Sequence, residues 1–78
     1  MKTYAHAPEL VATLWTMRGP KGTTLRAVAW THPLGWELSI YADGDDLRQS
    51  QVHRDYALLE AHAGELRAKL EEHAWSPT

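Results

Sequence analysis

The chain has 78 residues, which fits one domain and limits the fraction of its surface that folding can bury. It contains no cysteine, which excludes disulfide staples and thiolate metal sites and leaves self-association as the way to enlarge a small core. Eight basic against ten acidic residues give a formal net charge of -2, which excludes the global basic field of a nonspecific nucleic-acid binder, while four tryptophans and 44% apolar content exclude a disordered tail.

Residues 1–8 are expected to form a flexible N-terminus. The stretch Met1 to Glu9 has one lysine and no apolar run, so no signal peptide is expected, and no segment approaches the roughly 18 apolar residues of a membrane span. The expected location is the cytoplasm. From Glu9 to Arg18 the chain is rich in β-branched and aromatic residues and predicts a first strand. Gly19, Pro20, Lys21 and Gly22 then supply turn chemistry. A second strand is predicted over 23–31, ended by His32, Pro33, Leu34 and Gly35. A third, 36–42, alternates Trp36, Leu38, Ile40 and Ala42 with Glu37, Ser39 and Tyr41. Asp43-Gly44 directly after it signals a hairpin, because a type I′ turn needs positive φ at both central residues. This predicts a polar fourth strand over 46–52, the competing reading being that Ser50 caps a longer helix.

Over 55–74 the apolar period changes. Tyr56, Leu59, Ala63, Leu66 and Leu70 are spaced three, four, three and four, which gathers them in one stripe of an amphipathic helix. Glu65 with Lys69 and Arg67 with Glu71 stand at i,i+4 on the outside, and Ser76 and Pro77 are expected to end the helix, leaving Trp75 to fold back or to serve a partner. The prediction is therefore a single α+β domain, an antiparallel β-meander of three to four strands (9–52) with one C-terminal helix packed on one face (ββββα).

Side chains alternate along strands, so the sheet divides into two sets. Leu10, Ala12, Leu14, Leu25, Ala27, Ala29, Trp36, Leu38 and Ile40 make the expected helix-covered face, its alanines leaving room for the helix. Val11, Trp15, Met17, Arg26, Val28, Trp30 and Tyr41 fall on the other, with Thr13, Glu37 and Ser39 among them. One helix covers one face, and a monomer rarely exposes a large contiguous apolar patch. Trp15, Met17, Arg26, Val28, Trp30 and Tyr41 are accordingly the candidate interface or ligand face, with a homodimer expected and a protein partner or a small apolar ligand as other occupants. The alternative is a single-stranded nucleic-acid-binding dimer stacking bases on Trp15, Trp30 and Tyr41, with Arg18, Arg26 and Arg48 on phosphates. Ala57, Ala61, Gly64 and Ala68 line the helix beside the apolar stripe, and a mid-helix glycine would be rationalised by a close backbone approach.

No catalytic, metal or cofactor motif is found, and no enzyme is expected. His62 and His73 lie eleven residues apart on one helix, about 16 Å, too far to share an ion. Asp43, Asp45 and Asp46 lack the distal glutamate of a calcium loop, the serines lack a G-x-S-x-G context, and Gly19 to Gly22 lacks the phosphate-loop spacing. The third functional class is an enzyme sharing a site across a dimer interface, with His53 and Asp55 the residues to inspect.

Gly35-Trp36-Glu37-Leu38, Asp43-Gly44, Ser50-Gln51-Val52 and a helix leading to Trp75 together resemble a group of short bacterial proteins of unassigned function. The resemblance covers about the last 45 residues. It implies a bacterial origin and a fourth strand and carries no functional residue. Ala74 stands where the group has glycine before the terminal tryptophan.

Overall fold

The computed structural model describes residues 7–78, and most of the expected flexible N-terminus (1–6) lies outside the described residues. The chain forms β1 (Leu10–Arg18), β2 (Thr24–His32), β3 (Gly35–Ala42), β4 (Asp46–His53), α1 (Tyr56–Glu72) and β5 (Ser76–Pro77). The sheet is antiparallel throughout, in the order β4-β3-β2-β1-β5, with the helix on one face. The fourth strand is present and Ser50 lies within it, paired with Ser39. The three to four strands expected are an undercount. After the helix the chain returns to the outer edge of β1, where Arg18 faces Ser76, Met17 faces Pro77, and the Thr78 N–H donates to the Thr16 carbonyl at 3.0 Å. Proline suits this edge because it leaves no donor pointing outward.

The turns follow from their residues. Asp43 and Gly44 take φ of 49° and 103°, as the hairpin signal demands, although the loop has three residues because Asp45 is included before Ala42 pairs with Asp46. The loop is tied back to β2, the Asp43 carboxylate accepting from Thr24 N–H at 3.0 Å and the Asp43 N–H donating to the Thr24 carbonyl at 2.9 Å. Gly35, at φ 141°, is required twice over, since a Cβ there would stand 2.2 Å from the His53 carbonyl oxygen of β4.

Asp55 is the helix N-cap, its carboxylate accepting from Ala57 N–H at 2.9 Å. The C-terminus closes at Ala74, earlier than Ser76 and Pro77. Trp75 N–H donates to the Leu70 carbonyl and Ala74 N–H to the Glu71 carbonyl, the paired bonds of a Schellman motif, with Ala74 at φ 69° in the position that glycine usually fills. Of the two expected surface pairs, Arg67–Glu71 forms at 3.3 Å and Glu65–Lys69 does not. A Cβ on Gly64 would meet nothing within 4 Å, so the expected close approach is not made among the described residues.

The core lies between sheet and helix. The predicted stripe supplies it: Leu59 and Ala63 are buried, and Tyr56, Leu66 and Leu70 pack beside them against Ala27, Ala29, Leu38 and Ile40. Trp36 meets Tyr56 edge-on, with ring centres 5.7 Å apart. Trp75 folds back onto Gly19, where a Cβ would lie 2.7 Å from its ring. No helix among the described residues is long and apolar enough to cross a membrane.

Candidate binding face

β1 carries two bulges, and they decide which residues face the helix. Thr13 pairs with Val28 and Trp15 with Ala27, so Leu14 is an extra residue, and Val11 is extra between Leu10 and Ala12. An extra residue inverts the alternation on passing it, so Ala12 and Thr13, between the two bulges, keep the faces expected for them, while Leu10 before the first bulge and the residues after the second are turned over. Trp15 and Met17 therefore point into the helix-covered core, at 8% and 0% exposure, contrary to their assignment to the opposite face. The Trp15 indole N–H donates to the Ala63 carbonyl of α1 at 2.8 Å, which satisfies a buried donor and pins the helix to the sheet. Leu10, assigned to the core, stands opposite Trp30 on the open face and is 59% exposed. The bulges were not legible in the sequence, since adjacent apolar residues also occur in β2, at Ala27-Val28-Ala29-Trp30, without an extra residue.

The open face is built on β2 and β3, which pair in unbroken register. Arg26 stands opposite Tyr41, Val28 opposite Ser39, and Trp30 opposite Glu37, all with side chains away from the helix. Four of the six candidate residues are thus brought together: Arg26, Val28, Trp30 and Tyr41. Val28 and Ser39 are already buried, at 1% and 3% exposure, so the middle row forms a floor. β4 adds Leu47 beside Tyr41, Ser50 beside Ser39 and Val52 beside Glu37. Leu47 is 52% exposed. Neither it nor Val52 was expected on this surface, because β4 reads as a polar edge. A shallow hollow of about 350 Å³ lies here, lined by Pro8, Trp30, Glu37, Ser39, Tyr41 and Leu47.

Two opposite charges flank the floor. The Arg26 guanidinium lies 4.8 Å from the Tyr41 ring centre and donates to the Gly44 carbonyl at 2.8 Å, so its position is held by a cation–π contact and by the hairpin loop. The Glu37 carboxylate accepts from the Ser50 hydroxyl across the strand pair. Neither charge has an ion-pair partner among the described residues. For a nucleic-acid strand this arrangement is poor: Trp15 is in the core, Arg48 is paired with Asp46 at 3.0 Å, and a carboxylate lines the hollow.

The residues named for an enzymatic reading, His53 and Asp55, stand where β4 leads into the helix. Asp55 is occupied as a helix cap. The His53 ring lies 5.5 Å from that of His62, with its Nδ1 buried and without a hydrogen-bond partner. No group of three or more potential metal ligands exists among the described residues. The pairing of His53 with His62 was not legible in the sequence, because only the crossing of the helix over β4 brings them together.

Fold and face define a two-layer α+β domain whose sheet, among the described residues, carries a helix on one side. No protein-family model matches the chain, and neither the curated proteins nor the solved structures contain a match to it.

Proposed function

We propose that the protein is a small binding or structural module that works as a pair of identical copies, joined through the open face of the sheet. The observation that carries this reading is the shallow hollow lined in part by Trp30, Tyr41 and Leu47, with Leu10 and Val52 on the same face by register, over which no helix or strand lies among the described residues. Covering such a face with its own copy is the simplest way to remove it from water, and a small domain gains core by doing so. The setting taken for this reading is the bacterial cytoplasm expected from the sequence.

The test is the solution mass by light scattering over a range of concentrations, with tryptophan emission recorded alongside. A dimer that Trp30→Arg converts to a folded monomer is the expected result, with wild-type emission moving to the red as dilution separates the copies and exposes Trp30. A wild-type monomer at every concentration reached, with unchanged emission, overturns the reading. Salt-dependent binding of an oligonucleotide to that monomer would move the function to the nucleic-acid class.

A further inference from the structure

The open face specifies how the second copy sits. This step rests on the self-association reading and adds the register and the charges that fix it. The face consists of three rows across β2 and β3: Arg26 with Tyr41, Val28 with Ser39, and Trp30 with Glu37. Successive rows on one face are about 7 Å apart along the strands, so Arg26 and Glu37 lie about 14 Å apart along the strand direction. That separation is too great for them to pair within one chain. A guanidinium and a carboxylate without ionic partners among the described residues, on either side of a buried middle row, form a surface whose charges complement its own copy.

Two copies packed face to face can be related by a twofold axis running along the strands or across them. An axis along β2 sets Arg26 over Arg26 of the second copy, and an axis along the seam between β2 and β3 leaves the two arginines diagonal to one another; both bring like charges together. An axis across the strands, through the Val28–Ser39 row, exchanges the outer rows. Arg26 of each copy then faces Trp30 of the other, with Glu37 of the other one strand away, about 5 Å to the side. Sheets packed face to face are about 10 Å apart, a gap that an arginine side chain can bridge. Arg26 has donors to spare, since the Gly44 carbonyl takes one and a guanidinium has five. We infer that the protein dimerises about an axis crossing the strands at Val28 and Ser39, held by two reciprocal Arg26–Glu37 ion pairs beside Trp30.

Charge reversal tests this inference separately from dimerisation itself. Arg26→Glu sets two carboxylates against each other at both symmetry-related contacts, and Glu37→Arg sets two guanidinium groups there, so either variant alone should dimerise roughly tenfold or more weakly than wild type. Mixing the two variants restores attraction at both contacts. Sedimentation of each variant and of the mixture, one of them carrying a fluorescent label, should therefore show a heterodimer that neither variant matches alone. The double variant should recover self-association. If Arg26→Glu does not fold, as judged by circular dichroism, the cycle Arg26→Gln, Glu37→Gln and both replaces it, with non-additive losses expected. A wild-type dimer that either reversal leaves intact, or whose losses neither mixing nor the double variant repairs, overturns the register and leaves self-association standing. A monomeric wild type overturns both.

Discussion

The two faces of the sheet are made from alternate residues of the same strands, yet they meet different surroundings. Met17, Ala27, Ala29 and Leu38 lie under α1 and are closed off from water, whereas Trp30, Tyr41 and Leu47 on the reverse side keep part of their surface open. The apolar character of a strand residue is therefore not what decides its burial. Layering accounts for most of it: α1 closes off the first side, while on the reverse side the middle row, Val28 and Ser39, is buried and the rows around it stay partly open. The open face is where partner recognition can be built, because the covered face has already been used to make the domain fold.

The largest effect that would sharpen this contrast is a pair of leucine truncations. Leu59→Ala removes a fully buried side chain from the helix–sheet seam and should destabilise the protein by about 2–5 kcal/mol in urea unfolding. Leu47→Ala, on the open face, should change protomer stability by less than about 0.5 kcal/mol while weakening self-association. Equal losses in stability would break the distinction between the faces. Next comes the anchor across the seam. Trp15→Phe removes the indole that donates to the Ala63 carbonyl and part of the buried ring, and a loss of about 1–3 kcal/mol is expected by the same measurement. A change near zero would return Trp15 to the open face.

Two smaller effects concern the helix that makes the faces unequal. Ala74→Gly places glycine at the left-handed C-terminal position, φ 69°, and should raise stability by about 1 kcal/mol, seen as a higher Tm. Gly64→Ala adds a methyl group where nothing lies within 4 Å and should raise stability by about 0.5–1 kcal/mol. If Gly64→Ala instead weakens the dimer, a second copy approaches the helix, and the interface is not confined to the sheet.

The helix was legible in advance because its signal is local and redundant. Five apolar residues at spacings of three and four define one stripe, and Tyr56, Leu59, Ala63, Leu66 and Leu70 are the residues that meet the sheet. The Asp43-Gly44 hairpin was legible for the same reason, positive φ being a property of the residues that adopt it. β5 was not, because two residues after a helix carry no strand periodicity and pair with β1 only once the helix has brought them there. The candidate face was half legible: Arg26, Val28, Trp30 and Tyr41 belong to strands without bulges between them, while Trp15 and Met17 lie beyond the extra residue Leu14.

The first three strands, the Asp43-Gly44 turn and the helix with its buried stripe were thus determined by the sequence alone, since each depends on the conformational preferences of neighbouring residues. The face each β1 side chain occupies, the approach of His53 to His62, the return of Trp75 to Gly19 and the meeting of Arg26, Tyr41 and Gly44 were decided only by the tertiary structure. The physical reason is the period of the strand. A single extra residue turns every later side chain to the other face, and whether a strand accepts one depends on the fit against the strand beside it and the helix above it.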